Sequence, residues 1–162
     1  HGVGTTYHLQ NGKKFMSGRF KHGLLHGKAT ESHKDTGIIV YDGYYKDGKK
    51  QGKGSEYEYD TGDIVYEGMW KNGKPDGNGV FYFENGDNYT GRFSEGLKNG
   101  HGKYTWKDGN TYDGNWDEDK MDGRGKYYWA REGATFDGLF KEGQFTNIEI
   151  GTPAESPKEF PK

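Results

Sequence analysis

The chain has 162 residues, no cysteine, 29 glycines, 26 aromatic residues and a formal net charge of −2. The missing cysteines exclude disulfides, a thiolate nucleophile and a zinc–thiolate site, and no apolar run nears the roughly 18 residues of a membrane-spanning helix. Leu, Ile, Val and Phe number only 23, too few for a thick core, while the aromatic content and small net charge speak against disorder.

The opening, His1-Gly2-Val3-Gly4, is a Gly-x-Gly whose preceding half-unit is missing; it reads as a segment cut from a longer array and carries no signal-peptide pattern. A worn unit follows, Met16-Ser-Gly18-Arg-Phe20 with Gly23 and Gly27. Next come Tyr41-Asp-Gly43-Tyr-Tyr45 with Gly48, Gly52 and Gly54, and Tyr66-Glu-Gly68-Met-Trp70 with Gly73, Gly77 and Gly79. Further copies are Tyr89-Thr-Gly91-Arg-Phe93, Tyr112-Asp-Gly114-Asn-Trp116 and Phe136-Asp-Gly138-Leu-Phe140. The aromatic starts at 41, 66, 89, 112 and 136 are spaced 25, 23, 23 and 24 residues apart, the signature of a repeat array.

Each unit predicts a β-hairpin. Tyr66, Gly68 and Trp70 alternate onto one side of a strand, Asn72-Gly73 makes the turn, and Gly77-x-Gly79 opens the return strand with Phe81 and Phe83 on the same side. The return strands continue this way with Tyr104 and Trp106, then Tyr127 and Trp129. The glycines are expected where a ring from the next strand occupies side-chain space. Recurrent glycine and the lack of a 3.6-residue apolar period exclude helix. The expected fold is all-β: an elongated single-layer antiparallel sheet of consecutive hairpins, open and solenoid-like, with about twelve strands.

The array spans 1–147: a half repeat over 1–15, repeats starting near 16, 41, 66, 89 and 112, and a partial repeat from 136. Longer returns precede Met16, Tyr41 and Tyr66, so bulges and a change of twist are expected in the N-terminal half. The strand around Glu31 lacks any aromatic and is expected to be the weakest. Residues 148–162, with Pro153, Pro157 and Pro161, read as a tail or linker, although Ile148 and Ile150 could form one more strand.

The pattern Y-x-G-x-W-x-x-G-x-x-x-G-x-G, repeated through residue 147, resembles the MORN (membrane occupation and recognition nexus) repeat. Met16, Ala29, Asp119 and the missing Gly-x-Gly after Gly143 depart from it. The resemblance implies a non-catalytic interaction scaffold in cytoskeletal, ciliary or membrane-contact assemblies, cytoplasmic in location. It also implies partners of three kinds: a protein peptide or helix, a second copy of the chain, or an anionic phospholipid surface.

No catalytic constellation is found, and no metal or cofactor is expected. The glycine loop at 73–79 lacks the Gly-Lys-Ser/Thr ending of a phosphate loop. The acidic turn Asp117–Asp122 lacks EF-hand spacing, and the six histidines are scattered. Nucleic acid is not an expected partner, because the net charge is negative and repeat packing accounts for the aromatics. A choline- or carbohydrate-binding solenoid is the nearer rival, set aside by the order of the motif. The expected partner groove is the row Tyr41, Tyr45, Tyr66, Trp70, Tyr89, Phe93, Tyr112, Trp116, Phe136 and Phe140. Charge is uneven, +6 over residues 1–55 and −8 over 56–162. The alternative is therefore a peripheral anionic-lipid site at Lys46, Lys49, Lys50 and Lys53.

Overall fold

The computed structural model describes residues 1–148, and the expected tail beyond, Ile150 included, lies outside the described residues. Thirteen strands pair in chain order as one open antiparallel sheet. They are β1 (Gly2–Tyr7), β2 (Lys14–Lys21), β3 (Leu24–Ser32), β4 (Ile39–Lys46), β5 (Lys49–Tyr57), β6 (Ile64–Lys71) and β7 (Lys74–Tyr82). The remainder are β8 (Asn88–Ser94), β9 (Leu97–Thr105), β10 (Thr111–Asp117), β11 (Lys120–Trp129), β12 (Ala134–Lys141) and β13 (Gln144–Ile148). The count exceeds the expected twelve by β13, which forms although the Gly-x-Gly that opens other return strands is lost. The chain divides into two compact units. Unit 1 is His1–Tyr82 with Phe93–Gly96; unit 2 is Phe83–Arg92 with the described residues from Leu97.

Each forward hairpin closes through two residues of positive φ, as at Asn72 (52°) and Gly73 (88°), the primed turn whose twist matches the strands. Asp119 takes the glycine's place at φ 70°. The second turn residue donates its N–H to the strand just after the preceding hairpin's turn: Gly48 to Leu25 O, Gly73 to Lys50 O and Gly143 to Met121 O, each at 2.9 Å. Successive hairpins are thus clipped together by backbone along the turn edge.

The two glycines of Gly-x-Gly serve different needs. In β6–β7, Gly68 pairs with Gly79 and Trp70 with Pro75, so three residues of β7 oppose Met69 alone, and Gly77 within this bulge has φ 106°. Gly79 instead lies under a ring: a Cβ there would meet the Tyr66 hydroxyl at 2.4 Å, and one at Gly68 would meet it at 2.5 Å. The ring over Gly79 thus comes from the neighbouring strand β6, as expected of an adjacent strand but from the same repeat, while Gly68 is covered by a ring of its own strand. It folds back over its own glycine pair.

The longer returns carry the expected bulges. Register shifts fall between Thr6 and Tyr7, Glu31 and Ser32, and Glu56 and Tyr57, while β9–β10 and β11–β12 pair without a shift. The residues pushed out are Phe15, Val40 and Val65.

In the first repeat the two departures explain one another. Met16 supplies no ring, so the second glycine is unnecessary and Ala29 fills the space, 3% exposed. Met16→Tyr alone is expected to drive its ring into the Ala29 methyl and destabilise the chain by on the order of 1–3 kcal/mol. Met16→Tyr combined with Ala29→Gly should recover most of that loss. Urea unfolding of the four chains in this cycle checks it, and additive effects would refute the coupling.

Candidate functional site

The ring face of unit 1 is built from Tyr41, Tyr45, Tyr66, Trp70 and Phe93. Trp70 stands edge-on to Tyr66 of its own repeat at 5.1 Å and to Tyr41 of the preceding one at 5.4 Å. Its indole N–H donates to Gly54 O at 3.1 Å, so the tryptophan clasps two repeats by ring contact and hydrogen bond together. Phe93 meets Tyr66 at 5.3 Å without a polar clasp.

Unit 2 repeats the device. Trp116 lies edge-on to Tyr112 at 5.2 Å and to Tyr89 at 5.4 Å, and donates to Gly102 O at 3.0 Å. Phe140 takes the equivalent place against Tyr112 at 4.8 Å. The phenol of each repeat tyrosine donates to a carbonyl three residues on, as Tyr66 to Met69 O at 2.9 Å and Tyr112 to Asn115 O at 2.9 Å.

This packing uses the predicted groove row from within. Tyr41, Tyr66, Tyr89 and Tyr112 have no exposed surface, and Tyr45, Trp70, Phe93, Trp116 and Phe140 are also buried; Phe136 is half-buried. The four tyrosines therefore cannot touch a partner directly. They form a floor. Beside that floor in unit 2 runs a second line of half-buried rings, Phe83, Tyr104 on β9 and Trp106 just past its end. Tyr104 lies 5.4 Å from Phe83 and 4.6 Å from Trp106, whose ring is 5.2 Å from Tyr127. The alternation of the return strands placed these rings on the right side, but that signal was not carried into the expected groove.

Polar support holds this second line. The Tyr104 hydroxyl donates to Asp87 Oδ2 at 2.7 Å, and Asp87 Oδ1 accepts the Lys107 N–H at 2.8 Å. Burial alone would raise the Asp87 pKa, but these donors with Asn85 outweigh it and hold the carboxyl below its usual range. In unit 1 the corresponding cross-strand places flanking Tyr41 hold Glu31 and Glu56. Tyr45 donates to Glu31 Oε2 at 2.9 Å, and Lys50 pairs with Glu56.

The lysine patch divides. The Lys50 ammonium lies over Tyr41 at 4.6 Å and over Trp70 at 4.5 Å, so it is part of the ring face and not of an exposed cationic cluster. Lys98 repeats the arrangement in unit 2, 4.9 Å from the Trp116 ring and 3.7 Å from Asp119 Oδ1. The same strand position is apolar elsewhere, as Leu25, Pro75 and Met121. Lys46, Lys49 and Lys53 remain exposed.

Burial holds the floor phenols above their ordinary pKa of 10.0, Tyr66 to about 12 and Tyr41, Tyr89 and Tyr112 further. The folded chain thus keeps these protons to higher pH than the unfolded one. Their contribution is complete below about pH 10 and is lost as pH rises through the folded values. We expect cooperative unfolding in strong alkali, with tyrosinate absorbance near 295 nm rising in step with loss of β circular dichroism. Tyrosinate formation spread over the ordinary range in a folded chain would contradict it.

A model of the MORN repeat matches residues 17–37, 41–63, 66–88, 89–111 and 112–133. No curated protein matches the chain significantly. The repeat matches cover most of the chain and coincide with the Tyr-over-glycine hairpins just described, so the chain belongs to the MORN repeat family.

Proposed function

We propose that this chain is a non-catalytic interaction scaffold that binds a segment of a partner protein, extended or helical, on the ring face of unit 2. MORN repeats often take part in protein or membrane interactions, and the family is generally non-catalytic. The observation that carries the reading is the half-buried line Phe83, Tyr104 and Trp106 beside a fully buried tyrosine floor. Rings fixed by neighbours lose little entropy on binding and offer apolar area with defined edges, the properties of interface anchors. Such a scaffold suits a cytoskeletal, ciliary or membrane-contact assembly.

The second reading is peripheral contact with anionic membranes. Lys46 and Lys49 face each other across a turn and Lys53 is exposed nearby. With Lys50 held over Tyr41 and Trp70, this reading rests on three lysines, each worth about 1 kcal/mol near an anionic surface before screening.

Trp106 is the one tryptophan outside the buried set, so Trp106→Lys tests the first reading with the least damage to the core. Partners retained by the immobilised chain from a cell extract should be lost on Trp106→Lys while the circular dichroism stays native. Unchanged retention by the folded variant would count against the ring face. The membrane reading expects co-sedimentation with anionic vesicles, weakened when Lys46, Lys49 and Lys53 become Glu. Absence of binding at about 50 mM salt, where screening is weak, would remove it.

A further inference from the structure

The face of unit 1 opposite the rings carries a second row of side chains that the repeat core does not use. Register pairs Val3 with Arg19, Lys28 with Tyr44, and Lys53 with Met69, so apolar and cationic side chains stand side by side across β1 to β6. Five strand steps give the row a span of about 24 Å. Val3, Tyr44 and Met69 are 83%, 50% and 42% exposed, a cost in water that the packing of the sheet does not require. Val3, Arg19, Lys28 and Tyr44 also line a shallow depression with Gly18 and Gly27. Among the described residues Lys28 is 3.9 Å from Asp42, and neither Arg19 nor Lys53 has an ion-pair partner.

Unit 2 shares this character only in part. There the corresponding positions hold Arg92, Asn115 and Leu139; Arg92 is exposed, while the neighbouring cations are matched, His101 with Asp113 at 3.3 Å and Arg124 with Asp137 at 3.2 Å. The two unmatched cations of the unit 1 row, Arg19 and Lys53, belong to the segment 1–55, which carries +6.

We propose that this face of unit 1 binds an acidic segment of a partner protein, with carboxylates on Arg19, Lys28 and Lys53 and apolar side chains on Val3, Tyr44 and Met69. Charge complementarity selects the occupant, since alternating cations and apolar groups fit a chain that alternates carboxylates and apolar side chains. A protein segment suits the surface better than a lipid layer does. The surface is concave at the depression, and Asp42 and Glu67 on the same face repel a uniformly anionic plane but can be avoided by a peptide's spacing. This surface is separate from the ring face.

The test is selection of a random peptide library displayed on phage against the immobilised chain, followed by affinity measurement on wild type, Arg19→Glu/Lys53→Glu and Trp106→Lys. Both cations are exposed and lie outside the described ion pairs, so the double variant should keep its melting temperature. Enriched peptides should interleave Asp or Glu with apolar residues. They should bind the double variant about tenfold or more weakly, and weaken between about 50 and 300 mM salt. Trp106→Lys should leave their binding intact, which separates this site from the ring face. Enriched peptides without carboxylates, undiminished binding to the double variant, or no enrichment would each overturn the proposal. So would binding to anionic vesicles, lost in the double variant, without any peptide binding.

Discussion

The structure depends on one interaction, a tyrosine ring folded over two glycines of its own hairpin. The phenol lies where two Cβ atoms would be, so neither position tolerates a side chain, and the hydroxyl donates to a carbonyl three residues on. A ring in that position satisfies its own polar tip and still buries its whole face. This is how a sheet one layer thick, with so few aliphatic residues, acquires an interior. The interior is one ring deep.

The remaining repeat residues follow from that placement. With the phenol end of the ring seated over glycine, the tryptophan of the next repeat stands perpendicular to the ring while donating to the glycine carbonyl. The first glycine of Gly-x-Gly is needed for another reason, the positive φ of the bulge that lets Gly68 and Gly79 stand opposite each other. The Met16 and Ala29 pair shows the logic by its failure. Without the ring the glycine becomes an alanine, and the hairpin closes with a smaller core.

Much of this was legible in the sequence, because period, alternation and turn residues are local signals. Asn72-Gly73 specified its turn through backbone preference alone, and the two extra residues before Tyr41 and Tyr66 announced their bulges. Depth was not legible. Alternation says on which side Tyr66 and Trp106 lie, but not that one is wholly covered and the other partly open, since that depends on contacts made by other repeats. Lys50 shows the same limit. It sits among three similar lysines in sequence; its register opposite Tyr45 puts it on the ring side, and its ammonium lies over Tyr41 and Trp70. The origin of the ring over the glycines was ambiguous for a comparable reason, because a side chain two residues upstream and one from an adjacent strand satisfy the same spacing.

A core confined to one face also decides where the chain is free to vary. On the ring side every substitution meets a neighbour within one ring's thickness, so differences between repeats there are compensated, as Glu31 and Glu56 are by Tyr45 and Lys50. On the opposite side the residue between the repeat glycine and the next aromatic changes from Arg19 to Tyr44, Met69, Arg92, Asn115 and Leu139 without disturbing the hairpin. Only the base of these side chains packs, over a bulge glycine, as Met69 does over Gly77, and the energy of exposing the rest of Tyr44 or Met69 is not recovered within the fold. The opposite face can therefore vary repeat by repeat. The ring face of each repeat is held by its tyrosine and varies mainly in the rings beside it.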